Sequence, residues 1–256
     1  MVYEAAHWGR EADNPERTGP STPATLGDLR YRALMGQKAW EALAPDVRRR
    51  FSHRLAAGES LVYSGQIVET HLSRLGRLLV TAARLIGGPF PLRAYGAGEP
   101  TVVTVTEDKA SQGQFWTRLY GWGQGFPQIV HSSKRFAGPT GLEEYVGCGI
   151  GVALTLHEEA GALVFRSAGY FLSILGQRLR LPAWLSPGDL RVCHRDLGDG
   201  RFVFGLTLDH PRFGCLLSQT ALFRDQEAAT NPADRAEETR AWYSRYGSPE
   251  SCGSAQ

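Results

Sequence analysis

Three side chains able to bind or orient a ligand alternate along one short segment of the chain. In the run QFWTRLY, residues 114–120, the aromatic or charged residues Trp116, Arg118 and Tyr120 occupy every second position. Alternate residues of a β-strand point to the same face, so a strand here would present two aromatic rings and a guanidinium together. Such a face suits either a polar pocket or an exposed surface.

Two adjacent glutamates lie in a second strand-like run, LEEYV, residues 142–146. Alternation places Glu143 and Glu144 on opposite faces, so at least one carboxylate points to each side of the sheet. If the face bearing Trp116 and Arg118 is the inner one, a glutamate on the same side would be costly to bury alone. The planar guanidinium of Arg118 is its expected partner.

This predicted pair has two interpretations. In the functional one, Arg118 holds a substrate carboxylate or oxyanion at the floor of a cavity, and Glu143 or Glu144 acts as general acid or base. In the structural one, the pair is a cross-strand salt bridge that fixes the register of the sheet. The alternation alone does not decide which glutamate faces inward.

His131 is a further candidate for the catalytic base, because the unperturbed pKa of histidine is near neutral. It shares its predicted face with Ile129 and Ser133, and a satisfied core or surface histidine is the alternative interpretation. The glycine-rich run GCGIG, residues 147–151, precedes a strand, whereas dinucleotide and phosphate loops precede a helix. Four cysteines without a CxxC pair favour buried thiols over zinc. We therefore predict neither a metal nor a cofactor.

Composition favours a soluble cytoplasmic protein of 256 residues. The formal net charge of +2 gives no argument for nucleic acid or an anionic membrane. The polar N-terminus lacks the apolar core of a signal peptide, and no run is long and apolar enough to predict a membrane span.

The first third of the chain is expected to be helical. Residues 1–28 are polar and rich in Pro and Gly, which predicts a disordered lead. We predict two helices within residues 29–86, and the spacing of apolar residues over 68–86 is helical. Residues 61–67 are interpreted as a short strand or an entry turn.

One face of the helix predicted over 68–86 carries Arg74, Arg77 and Arg84. A solvated face is the preferred interpretation, and a partner surface or membrane surface is the alternative.

From residue 101 to residue 224 the apolar pattern changes to a period of two, which predicts a β-sheet. Residues 169–190 lose this alternation and are interpreted as a short helix or a thick loop. The fold class is therefore α+β and mainly antiparallel β, with two N-terminal helices packed on a strongly curved sheet or barrel of about eight or nine strands. Residues 29–224 form one globular domain, and residues 225–256 a polar tail. The predicted strands cover residues 101–107, 114–120, 128–136, 142–146, 149–157, 163–167, 190–196, 202–208 and 215–223.

Several short motifs follow one another along the chain: Trp116-x-Arg118, Gly141-Leu142-x-Glu144, Gly147, Leu181-Pro182-x-x-Leu185 and His210-Pro211-x-x-Gly214. In this order they resemble a bacterial family of domains of unknown function, the family numbered forty-one sixty-six. The resemblance extends from about Leu43 to Arg224. It implies a single domain with Trp116, Arg118 and Glu144 clustered, and it brings no established activity. Some members of that family are fused to domains similar to saccharopine dehydrogenase.

Three functions fit these observations. The first is a small-molecule binding domain, in which Arg118 anchors the acidic group of an apolar or amphipathic ligand that stacks on Trp116 or Tyr120. The second is a cofactor-free isomerase, cyclase or lyase that uses Glu143 or Glu144 as the acid/base. The third is an accessory domain that docks a separate oxidoreductase through an exposed apolar patch.

Overall fold

The structure is a computed structural model that describes residues 25–56, 59–87, 90–91, 93, 95–121 and 125–225. Most of the described residues are in β-strands. The strands are β1 (Thr25–Gly27), β2 (His53–Leu55), β3 (Ser60–Leu72), β4 (Pro100–Asp108), β5 (Gly113–Tyr120), β6 (Gln128–Arg135), β7 (Glu143–Gly147), β8 (Ile150–Glu159), β9 (Ala162–Ile174), β10 (Gln177–Arg180), β11 (Asp189–Gly198), β12 (Arg201–His210) and β13 (Gly214–Arg224). The helices are α1 (Arg30–Met35), α2 (Gln37–Ala42), α3 (Pro45–Phe51) and α4 (Arg74–Ala82), and short 3-10 helices cover Ala83–Ile86 and Ala183–Leu185.

Ten of the strands form a closed antiparallel barrel. They hydrogen-bond in the order β9-β11-β12-β13-β3-β4-β5-β6-β7-β8, and β8 pairs with β9 to complete the circle. Strand β10 lies outside this circle and pairs with β9. Strands β1 and β2 form a separate two-stranded sheet. The prediction of a curved sheet or barrel is confirmed, although the eight or nine strands expected are fewer than the ten observed.

The N-terminal helices close one end of the barrel, here called the plug end, which is formed by the turns at residues 109–112, 136–142, 160–161 and 199–200. The Arg30 guanidinium donates a hydrogen bond to the carbonyl of Gln112 at 2.6 Å. The backbone N–H of Ala44 donates to the carbonyl of Gly161 at 2.9 Å. These contacts attach the helical segment to two different turns of the barrel.

The side chains of this plug enter the barrel interior. Tyr31 and Phe51 are buried, and their ring centroids lie 5.2 Å apart in an edge-to-face arrangement. Phe51 also contacts the ring of His194 on β11, with centroids 5.1 Å apart. One apolar core therefore continues from the helices into the barrel.

Helix α4 and the 3-10 helix after it cross the opposite end, here called the loop end. A Cβ at Gly76 would lie 2.0 Å from the carbonyl oxygen of Leu216 on β13, whereas one at Gly87 would lie 3.3 Å from that of Val146 on β7. Strands β13 and β7 face each other across the ring of ten, so this segment spans the barrel. The loop end comprises the described residues of segments 73–99, 121–127, 148–149, 174–177, 181–188 and 211–213.

The helix predicted over residues 68–86 is wrong in its first turns, because β3 continues to Leu72 and α4 begins at Arg74. Ile67 lies in the interior, whereas Val68 is buried on the outer face against Val203 and Leu222. A strand buried on both faces loses the apolar–polar alternation that identifies it in a sequence. The helix starts where the Ser73 hydroxyl accepts a hydrogen bond from the N–H of Gly76.

The short helix or loop predicted for residues 169–190 is also largely wrong. Strand β9 continues to Ile174, β10 follows it, and the helical part is the 3-10 helix Ala183–Leu185. The first half of β9 pairs with β11 and its last part with β10. Two successive partners explain why this stretch lacks one simple pattern.

Most of the predicted lead and tail lie outside the described residues, since residues 1–24 and 226–256 are not among them. Thr25–Gly27, at the end of the predicted lead, forms β1. In the described part of the chain, no helix is long and apolar enough to cross a membrane.

Replacing Gly76 by alanine should destabilise the protein, although alanine normally favours a helix. The new Cβ would collide with the backbone of Leu216, so we expect a loss of about 1–3 kcal/mol in the free energy of unfolding. Urea denaturation would measure it, with the exposed Thr81→Ala in the same helix as the control. Equal stability of the two variants would contradict the close packing of α4 on β13.

Candidate functional site

The alternation of β5 places Trp116, Arg118 and Tyr120 inside the barrel. Trp116 and Tyr120 are buried, and the Arg118 side chain is 23% exposed. On the opposite face of the strand, Phe115 is exposed. The structure therefore brings together the three side chains predicted to share an inner face.

Glu144 is the glutamate that faces inward, and it contacts two cations. Its Oε2 lies 3.0 Å from the Lys134 Nζ, and its Oε1 lies 3.6 Å from the Arg118 Nη2. Arg118 Nη1 donates a hydrogen bond to the Ser132 hydroxyl at 3.2 Å. Lys134 and Glu144 face each other across β6 and β7. The predicted Arg118–Glu144 pair is thus part of a triad with Lys134.

Lys134 is the component of this triad that the sequence interpretation missed. It is buried, and its ammonium lies 4.8 Å from the centre of the Trp116 ring. The signal was present in the sequence, because Lys134 alternates with Ser132 and Val130 on the inner face of β6. A lysine at an inward position of a buried strand is unusual, because lysine is almost never fully buried unless it is paired.

The pKa values of the triad follow from burial and charge. Burial opposes ionisation of Glu144, but the charges of Lys134 and Arg118, with hydrogen bonds from Ser132 and Lys134, lower its pKa to about 2. Burial also lowers the pKa of Lys134, and the nearby charge of Arg118 acts in the same direction, while Glu144 opposes both. The carboxylate is therefore ionised at neutral pH.

Glu143 lies on the outer face, apart from the triad. It is fully buried there, and its Oε2 lies 2.7 Å from the Arg178 Nη2 and accepts a hydrogen bond from the Tyr145 hydroxyl at 3.3 Å. A Cβ at Gly138 would lie 1.8 Å from its Oε1, and the positive φ of Gly138 also favours glycine. Glu143 thus holds the outer strand β10 against the barrel wall and packs against the turn after β6.

His131 also lies on the outer face, where it is exposed and its Nδ1 is 3.1 Å from the Thr117 hydroxyl. Alternation along β6 places Lys134 and Ser132 inside and His131 outside. The structure therefore does not bring His131 together with Arg118 and Glu144.

Tyr120 is packed face to face with another tyrosine. Its ring lies 5.2 Å from that of Tyr95 with an interplanar angle of 16°. Burial raises the pKa of Tyr120 to about 12, so its hydroxyl is protonated at neutral pH. The Tyr95 hydroxyl donates to the side-chain oxygen of Gln128 at 2.9 Å.

A cavity of about 60 Å³ lies beside the triad. Arg118 and Lys134 line it, together with Trp116 and Tyr120, and no carboxylate lines it among the described residues. Its other walls come from both ends of the barrel and are mostly apolar. They are Phe51, Thr101, Val103, Phe165, Val192, Phe204, Gly205, Leu206, Gln219, Ala221 and Phe223.

A second cavity, of about 50 Å³, lies on the plug side of Trp116 and Phe204. The buried His194 lines it and stacks on Phe202, with ring centroids 4.8 Å apart. Burial lowers the pKa of His194 well below its ordinary value, so the ring is neutral. Neither ring nitrogen has a hydrogen-bond partner among the described residues, and a buried water would satisfy them.

Among the described residues, no group of three His, Cys, Asp or Glu side chains is placed to hold a metal ion. The cavity is lined by two cations among aromatic and aliphatic side chains, and the two cations suit an anion.

The fold and this interior define a closed antiparallel barrel with a buried Arg–Lys–Glu triad beside an internal cavity. Residues 43–223 match the model of the family described as Domain of unknown function (DUF4166), and the chain belongs to that family. No curated protein and no solved structure matches the chain.

Removing the carboxylate of the triad should cost far more stability than removing its lysine. Glu144→Gln leaves the buried Lys134 and the half-buried Arg118 without a counter-charge, for which we expect a loss of about 3–5 kcal/mol. Lys134→Met leaves one Arg118–Glu144 pair, and we expect a change within about 1 kcal/mol. Urea denaturation of the two variants would measure the difference. Equal losses would contradict the surplus of positive charge inside the barrel.

Because the pKa of Glu144 is low in the folded protein, the free energy of unfolding should depend on pH in the acid range. Its pKa in the folded protein, about 2, lies below its ordinary value of 4.5, so its contribution is complete above 4.5 and is lost as the pH falls towards 2. Other carboxylates with lowered pKa values, such as Asp28 and Asp225, add to the same loss. We expect the pH dependence of the unfolding free energy to be shallower in Glu144→Gln. An unchanged slope would contradict the assigned pKa.

Proposed function

We propose that this protein binds a small amphipathic molecule through its acidic group inside the barrel. The observation that carries the proposal is the composition of the cavity wall. Arg118 and Lys134 both line the cavity. Glu144 contacts both cations but does not itself line the cavity. The cations are thus presented to the cavity and their single counter-charge is not.

The charge balance supports an anionic ligand. Two cations and one carboxylate leave a formal charge of about +1 in a region shielded from water, which is unfavourable without a further partner. A carboxylate or phosphate would supply that charge, and the guanidinium of Arg118 can bind such a group in bidentate fashion. Binding of an anion would also favour the protonated form of Lys134.

The remaining walls suit an apolar remainder. Trp116, Phe204 and Phe223 present aromatic surface beside the cations. The volume of about 60 Å³ is far below that of a pocket for a drug-sized ligand. The acidic group would therefore occupy the cavity, and the rest of the molecule would extend towards the loop end, where Thr101 and Tyr120 line the same cavity.

A proton-transfer role for Glu144 has less support than a binding role. A general acid or base that works near neutral pH needs a pKa near neutrality, and the two cations shift the pKa of Glu144 in the opposite direction. Glu143 lies on the other face of the strand and is paired with Arg178. A cytoplasmic location stays a prediction, which free thiols at Cys148, Cys193 and Cys215 favour.

Binding of anilinonaphthalene sulfonate, an aromatic anion whose fluorescence rises in apolar sites, would test the proposal. We expect decanoate to displace the bound dye, because decanoate carries the charge that Arg118 binds. Decanol has the same apolar chain without that charge, so it should be a much weaker competitor. Arg118→Ala should lower the affinity for the dye and for decanoate by at least about tenfold. This is the loss expected for a buried charge-assisted hydrogen bond.

The outer-face variant His131→Ala is the matched control, since it changes the neighbouring strand without reaching the cavity. We expect it to bind like the unmodified protein. Equal affinity for decanoate and decanol, or equal effects of the two substitutions, would contradict a cationic site inside the barrel. Circular dichroism would confirm that both variants are folded.

A further inference from the structure

The exposed apolar side chains are concentrated at the loop end of the barrel. Among the described residues, nine of the fourteen large apolar side chains that are exposed belong to the loop end, although it is a minor part of the chain. Four of them are almost wholly exposed: Leu175 at 100%, Phe126 at 95%, Leu85 at 86% and Trp184 at 79%. The other five are Leu75, Leu78, Ile174, Leu185 and Phe213. Clusters of this kind on a monomer mark a surface that contacts an apolar phase or a partner.

The ion pairing of the arginines also differs between the two ends of the barrel. At the plug end, Arg30 pairs with Asp28 at 2.7 Å, and Arg50 pairs with Asp196 at 2.8 Å and with Asp225 at 3.0 Å. Within the loop-end segments Glu99 is the one described carboxylate, and Asp189 and Asp209 lie beside these segments near the ends of β11 and β12. Four exposed arginines there form no ion pair with a described carboxylate. They are Arg74, Arg77, Arg84 and Arg212.

Helix α4 combines both features on one face. Its buried face, which includes Gly76 and Val80, closes the barrel. Its outer face carries Leu78 beside Arg74 and Arg77, and all three are exposed. Leucines beside arginines on an outward helix face are typical of helices that lie in a membrane interface. The face predicted to be merely solvated thus carries apolar residues among its arginines.

The hairpin between β9 and β10 carries the most exposed of these apolar side chains. Its two turn residues, Leu175 and Gly176, have φ of 49° and 79°. Turns of this kind favour Asn-Gly or Asp-Gly, because a positive φ is strained for leucine. Of the plug-end hairpins, the one after β11 has the favoured pair, Asp199 and Gly200, whereas the one after β8 has Ala160 and Gly161. Leu175 is in a strained conformation, and its apolar side chain is wholly exposed.

Trp184 and Leu185 are presented by a firmly held segment. The Tyr170 hydroxyl donates to the carbonyl of Gly188 at 2.9 Å, and the N–H of Leu181 donates to the carbonyl of Tyr170 at 2.8 Å. These bonds fix both ends of the segment that carries the exposed 3-10 helix. Trp184 and Leu185 are therefore held in exposed positions by a fixed segment of the fold.

We propose that the loop end docks on the surface of an anionic lipid bilayer. The exposed apolar side chains of several separate segments would enter the headgroup layer, and the unpaired arginines would bind lipid phosphates. A bilayer surface does not need a protein surface of complementary shape, which suits side chains that are spread around the end of a barrel. The net charge of the whole chain, +2, conceals this asymmetry between the ends. The proposal is independent of the ligand proposed for the interior.

Co-sedimentation with lipid vesicles tests the docking surface. We expect the protein to bind vesicles made of equal parts phosphatidylcholine and phosphatidylglycerol, and to bind pure phosphatidylcholine much less. Replacing Arg74, Arg77 and Arg84 by glutamine should weaken binding by about fivefold for each arginine. The charge control is Lys38→Gln with Lys109→Gln, which neutralises two exposed lysines at the plug end and should have little effect.

Leu175→Asn separates docking from folding. Asparagine suits the positive φ of this turn, so the melting temperature should stay the same or rise. Loss of the leucine side chain from the bilayer should weaken vesicle binding by about tenfold. The apolar control is Phe115→Ser, on the outer wall near the plug end, which should leave vesicle binding unchanged. Arg118→Ala should also bind vesicles normally, so this test and that of the interior site can fail separately.

The proposal is wrong if no anionic vesicles sediment with the protein. It is also wrong if the plug-end controls weaken binding as much as the loop-end variants do. Self-association that Leu175→Asn abolishes, in the absence of vesicle binding, would instead identify the loop end as an interface between protein molecules.

Discussion

Closure of the sheet by pairing of β8 with β9 is the constraint on which the rest of the structure depends. A closed ring leaves no free edge among its ten strands, and it divides alternate residues of each strand between an interior and an outer wall. The interior must then be filled. Phe51 and Tyr31 fill it from the plug end, the rings of Trp116 and Phe204 lie between the two cavities, and α4 covers the loop end.

Charge in such an interior carries a high cost, which gives the triad its significance. Glu144 is ionised because Lys134 and Arg118 are beside it, and the lysine is tolerated because the glutamate is there. A purely structural role would be met by one pair. The second cation, which shares the carboxylate of Glu144 and also lines the cavity, is the feature that an account of function has to explain.

Much of this arrangement could be predicted from the sequence. Period-two alternation located most strands and grouped Trp116, Arg118 and Tyr120, because alternation is a local property of a strand. It could not say that Glu144 rather than Glu143 faces inward, since that depends on which side of the sheet becomes the core. It also failed at Val68, where burial on both faces removes the pattern, and the closing pair of strands is a long-range contact that no local pattern contains.

The divided pairing of β9 gives the barrel wall a seam. The backbone ladder between β9 and β11 ends at Arg166 and Arg191, and beyond it a groove of about 510 Å³ is lined by Tyr170 and the segment from Leu181 to Ser186. Elsewhere, parting two strands would break a continuous ladder. Here the wall is held instead by the contacts of one surface segment, the same segment that carries Trp184.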